Sequence, residues 1–197
     1  MKKWNRIALT ALALIMIFAL SACKKESPSE VVEKELKDIQ TEDVKDLDVP
    51  FMDEDSAESK GITEKYNTWL KKIQKFDYKI LSEKTDKKKG TATVKVKLTT
   101  YNFGAAYKEA YDQVVADAKD GKVTSATDVE KYTFNIMFDK MNAVKDKDYK
   151  KTIDIKLKYD KDDKEWDSDM DNNQEFVDAM LGGMMTQISA ITGAQGQ

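Results

Sequence analysis

Histidine is absent from all 197 residues, and cysteine and arginine occur once each, as Cys23 and Arg6. Each scarcity removes a class of chemistry. Without histidine there is no Ser-His-Asp triad, no Cys-His nucleophile and no His/Cys zinc centre. A lone cysteine leaves no internal disulfide, so packing alone must stabilise the fold. One arginine leaves almost no capacity for bidentate clamping of phosphate or carboxylate. The balance of 33 basic and 36 acidic residues gives a net charge of −3, which argues against a nucleic-acid surface.

What is present is most informative at the start of the chain. Lys2, Lys3 and Arg6 precede a 14-residue apolar run from Ile7 to Leu20, followed by Ser21, Ala22 and Cys23. A basic start, a short apolar core and small residues before a cleavage point form an export signal. The run is shorter than the roughly 20 residues a membrane span needs. Residues 20–23, "LSAC", resemble the lipobox of bacterial lipoproteins. That resemblance implies cleavage after Ala22, a diacylglyceryl group on Cys23 carrying palmitate-type chains, and anchorage on the outer face of the cell membrane. Two or more acyl chains hold a protein firmly where one does not. Loss of three basic residues and no acid with the signal takes the side-chain sum from −3 to −6. Lys24 and Lys25 would add about 1 kcal/mol each beside an anionic leaflet.

The expected organisation is a cleaved signal at 1–22, a lipidated cysteine and short tether at 23–27, one α+β domain at 28–191, and a frayed tail at 192–197. Ser27, Pro28 and Glu30 predict a capped helix start. Acidic residues around Pro50 predict a loop over 41–60. Ile62, Tyr66, Trp69, Leu70 and Ile73 fall on one helical stripe. The period then changes to two, with Val94, Val96 and Leu98 on one face and Lys95, Lys97 and Thr99 on the other. Gly90 ends the lysine-rich turn between these strands.

Two helices follow, one presenting Phe103, Tyr107, Ala110, Tyr111 and Val114, and closed by Gly121. The other presents Val129, Tyr132, Ile136, Met137 and Met141 behind a Thr127–Glu130 capping box. Alternation returns at Ile153, Ile155, Leu157 and Tyr159, with a return strand from Trp166 and a closing helix weakened by Gly182 and Gly183. Hairpins segregated from helices predict an α+β fold, with a curved antiparallel sheet of about four strands packed against helices.

The first helix, the lysine-rich alternating hairpin and the ending "DKDDKEWDSDMDNNQEFVDAMLGGM" resemble small exported lipoproteins of Gram-positive bacteria. Their domain is cystatin-like or nuclear-transport-factor-two-like. The resemblance implies a cone-shaped ligand site, a dimer, or an Asp/His catalytic site. The missing histidine tells against the last.

Four residues could line a pocket between sheet and helices: Trp69, Tyr107, Tyr111 and Met137. The same residues would equally fill a core. Asp167, Asp169, Asp171, Asn173, Glu175 and Asp178 fall at the 1, 3, 5, 7, 9 and 12 spacing of a calcium loop. Asn172 stands where such a loop needs glycine, and Asp178 where it needs glutamate. A strand end followed by a helix cap, with Asn172 and Glu175 as a capping box, explains the same residues more simply. No resident cofactor is expected beyond a weak divalent cation there. The function expected is a non-enzymatic binding or interaction domain for an envelope protein or small ligand. The alternatives are a small-ligand receptor and an envelope enzyme using carboxylates or a metal.

Overall fold

The computed structural model describes residues 26–43 and 56–194. Cys23, the signal segment 1–22, the tether through Lys25 and the tail 195–197 lie outside them. The elements run α1 (Pro28–Thr41), α2 (Ala57–Ile73), β1 (Asp77–Asp86), β2 (Thr91–Thr100), α3 (Phe103–Lys119), α4 (Val129–Ala143), β3 (Tyr149–Tyr159) and β4 (Trp166–Ser168). A 3-10 turn (Met170–Asn172), α5 (Gln174–Met180) and α6 (Met184–Ala194) complete them. The fold is α+β, with an open four-stranded antiparallel sheet in the order β1-β2-β3-β4 packed against helices.

Residues 28–191, expected as one domain, divide into two compact units, each assembled from separated stretches of chain. The first contains, of the described residues, 26–42, 78–98 and 151–177. Alternation builds its sheet. Val94, Val96 and Leu98 of β2 and Ile153, Ile155 and Leu157 of β3 are buried, while Lys95, Lys97, Asp154, Lys156 and Lys158 are exposed. Burying each of these aliphatic side chains contributes about 1.5–3 kcal/mol. β4 pairs antiparallel with β3, setting Leu157 opposite Ser168 and Tyr159 opposite Trp166.

α1 forms where its local signals place it. The Ser27 hydroxyl accepts from Glu30 N, and Glu30 accepts in return from Ser27 N at 2.7 Å. Val32 and Leu36, a turn apart, are fully buried. Ser29 N donates to Glu83 of β1 at 3.0 Å.

The second unit contains, of the described residues, 43, 56–77, 99–150 and 178–194. Its core gathers Ile62, Trp69 and Leu70 of α2, Phe103 and Ala106 of α3, and Phe138 and Met141 of α4. Trp69 meets Phe103 edge-on, with centroids 6.0 Å apart, and Phe138 stacks on Phe134 at the same separation.

Four local expectations are corrected. Of the loop expected over 41–60, residue 41 ends α1, residues 44–55 lie outside the described ones, and 57–60 are helical: the Ser56 hydroxyl caps α2 by accepting from Ser59 N. α4 is capped by Asp128, which accepts from Lys131 N; Thr127 instead accepts from Thr124 N. The inward face of α4 is centred on Phe138 and Met141, leaving Val129 51% exposed. Apolar residues surround this helix, so its spacing alone did not choose a face.

Fourth, the closing helix is two helices. Gly182 and Gly183 adopt φ of 58° and 80°, which interrupts the helical backbone. The carbonyl released at Gly182 accepts from Gly104 N at 3.0 Å. α6 then carries the helix through Ala194, so 192–194 form its last turn rather than a tail, and Thr192 donates to Ile188 O.

Candidate functional site

In the first unit, the run read as a possible calcium loop is a strand, a 3-10 turn and a helix start. Asp169 accepts from Lys156 N at 2.9 Å. Asn173 caps α5 by accepting from Phe176 N at 3.1 Å, and its amide donates to Asp154 O. The cap is therefore Asn173 and not Asn172, and Glu175 pairs with Lys151 at 3.3 Å instead of closing a capping box. In the second unit, Asp178 accepts from both the N–H and the hydroxyl of Thr186. Among the described residues no group of three or more acidic side chains is placed to hold a metal ion.

A different carboxylate of the first unit is partly buried and hydrogen-bonded across elements. Ser168 Oγ of β4 donates to Glu35 of α1 at 2.5 Å, tying together residues 133 apart in sequence. Burial pushes the Glu35 carboxyl up. The Ser168 hydrogen bond opposes this, while Asp171, Asp38 and Asp167 push the same way as burial. Asp171 is itself raised by burial. A desolvated carboxylate among like charges favours its protonated form. The arrangement can thus fasten α1 to β4 and take up a proton.

In the second unit, three of the four residues expected to line a pocket pack in or against the core. Trp69 belongs to the buried core, and Tyr107 and Met137 pack partly buried against it. Tyr111 is half-buried on α3. Trp69 Nε1 and Asn142 Oδ1 are buried polar atoms without a hydrogen-bond partner.

Two polar constellations in this unit were not anticipated. Asp117 lies on the inward side of α3, following Phe103, Ala106 and Ala110. It accepts from Lys122 Nζ at 2.6 Å and from Tyr132 OH at 2.8 Å. The Lys122 bond first, then the Tyr132 bond, hold its carboxyl below the usual range; Asp117 in turn raises Lys122 and Tyr132. An acid on an otherwise apolar helix stripe was a visible signal for this cluster. Lys72 of α2 donates to three carbonyls closing α4, those of Met141, Asn142 and Val144, and lies 4.7 Å over the Tyr101 ring. These are the orphan acceptors every helix end leaves. Burial, then the Lys75 charge, lower the Lys72 ammonium.

No protein-family profile matches this chain, and no curated protein matches it. A solved structure from Bacillus subtilis, ycdA, itself named provisionally as a lipoprotein, aligns at 16% identity with a TM-score of 0.42. The alignment covers 90% of this chain, which spans about half the length of that one, 55%.

Proposed function

We propose that this chain is an exported lipoprotein, held on the outer face of a cell membrane by a diacylated Cys23. It works there as a non-enzymatic binding or interaction domain. The observation that carries the reading is the sequence "LSAC" at 20–23, placed directly after a basic start and a 14-residue apolar run. The fold supports it in one respect: α1 begins at Pro28 behind its Ser27 cap. Four peptide steps separate Cys23 from Ser27, about 14 Å at full extension. An anchored first unit would therefore lie against the headgroups. No described helix is long and apolar enough to cross a membrane.

The non-enzymatic part of the reading is supported by how the described carboxylates are used. Asp169 accepts from the backbone N–H of Lys156 in β3, while Glu175, Asp178 and Asp117 hold ion pairs or hydrogen bonds. The four-strand meander with α1 on its buried side is compatible with the cystatin-like or nuclear-transport-factor-two-like arrangement.

Mass spectrometry of the N-terminal peptide from membrane-extracted protein tests the anchor. The expected result is a chain starting at a diacylglyceryl Cys23, and release or retained precursor on Cys23→Ala. A free Cys23 thiol, or a mature chain starting at Met1, would refute it. In-cell crosslinking of the anchored form is expected to capture a defined envelope protein.

A further inference from the structure

The outer strand β1 is long, charged and open on one side. It ends the sheet order, and among the described residues only β2 pairs with it. Such an edge presents a row of backbone donors and acceptors and is a template for another strand. Its first residues alternate, Tyr78 and Ile80 half-buried and Lys79 exposed, and every residue from Leu81, 45% exposed, through Glu83 to Asp86 is exposed. An exposed leucine between opposite charges on an open edge is an unusual pattern for a strand protected against pairing.

We propose that β1 is a self-recognition edge, pairing antiparallel with β1 of a second copy of this chain about a twofold axis at Leu81. In this register Leu81 faces the second copy's Leu81. Lys79 faces the second copy's Glu83, and Glu83 the second copy's Lys79. The same six side chains are thus complementary to themselves, as a closed dimer requires. Opposite charges directly across an antiparallel pair stabilise it, and like charges disfavour it. A one-residue slip that sets Lys79 against the second copy's Lys84 meets like charges. Any one-residue slip also turns the apolar sheet face of one copy toward the wet face of the other. Charge and pleat therefore disfavour the one-residue slips, and only the proposed register sets Lys79 directly against Glu83. Glu83 already accepts from Ser29 N and from Thr85 Oγ1. A carboxylate has about four acceptor sites, so it can receive a lysine as well. The proposal does not depend on the lipid anchor.

Directly opposed residues in an antiparallel pair have Cα atoms about 4.5–5.5 Å apart, within disulfide reach. The test is oxidative trapping of the full chain in a Cys23→Ser background. Leu81→Cys is expected to give a covalent dimer, and a mixture of Lys79→Cys and Glu83→Cys chains a mixed dimer. Lys79→Cys alone and Lys97→Cys, on β2, should give little. Within the Leu81→Cys chain, Lys79→Glu is expected to lower trapping roughly fivefold, and the double exchange Lys79→Glu/Glu83→Lys to restore it. Maleimide labelling and circular dichroism confirm an accessible thiol and a folded chain in each variant. Leu81→Cys trapping no better than Lys97→Cys, or no recovery in the double exchange, overturns the proposal.

Discussion

Replacing Gly182 by alanine separates two costs that usually travel together, backbone strain and steric overlap. With φ at 58°, any residue bearing a Cβ is strained, by about 1–2 kcal/mol. Here that Cβ would also stand 2.0 Å from Tyr101 O and 2.7 Å from Phe103 N. No side chain can swing aside, because both neighbours are backbone. The turn between α5 and α6 must lift away from the start of α3. The hydrogen bond from Gly104 N to Gly182 O is then lost, at about 1 kcal/mol more. Strain and lost contact give a destabilisation of about 2–3 kcal/mol, a large part of a typical 5–15 kcal/mol. For a chain of this size that is a fall in Tm of roughly 4–12 °C. Two controls calibrate the result. Gly121 has φ of 74° but open space around its Cβ position, so Gly121→Ala should cost only the strain, about 1–2 kcal/mol. Gly61 is helical with nothing within 4 Å, so Gly61→Ala should stabilise by about 0.5–1 kcal/mol. Thermal melts and urea titrations of the three variants read these differences. A Gly182→Ala chain no less stable than Gly121→Ala would refute the close-approach argument.

Asn173→Ala should cost about 1 kcal/mol in urea unfolding and Asn172→Ala a few tenths at most, because only Asn173 caps α5. Asp117 is held low by Lys122 and then Tyr132, so its stabilisation is present above the ordinary aspartate range and lost as pH falls through its depressed value. Tyr132 and Lys122 are raised, so their contribution is full below their ordinary values and lost as pH rises through the raised ones. Asp117→Asn should flatten both limbs of the pH–Tm curve; unchanged limbs would refute the assignment. Glu35 is raised chiefly by burial, so its contribution is full below the ordinary glutamate range and lost as pH rises through the raised value. Glu35→Gln should therefore gain stability over wild type at pH 7 and not at pH 4, read by melting at both.

Local chemistry was readable from the sequence, and distant pairing was not. Ser27, Pro28 and Glu30 announced α1 because a capping box needs only neighbours, and alternation at 94–98 and 153–157 announced strands because one face is wet. The start of α2 was missed because the pair Ser56 and Ser59 carried less weight than the acidic residues preceding it. Gly182 and Gly183 read as helix weakeners, but nothing near them shows that Gly104 N will seek the Gly182 carbonyl. Of the candidate site residues, Trp69 reads from the sequence as either core or pocket lining, and the structure buries it among Ile62, Phe103 and Phe138. Glu35 and Ser168 carried no signal at all, since each is unremarkable until the fold unites them.

That union also sets an order of events during synthesis. The first unit needs residues before 43 together with residues 151–177. A ribosome adding about 5–20 residues per second takes on the order of ten seconds or more to bridge that interval. Until then α1 has no β4 to grip, and closing so long a loop makes folding slow as well as late. The first unit cannot be completed before those residues are made, and a stop codon before about residue 177 should abolish it rather than shorten it.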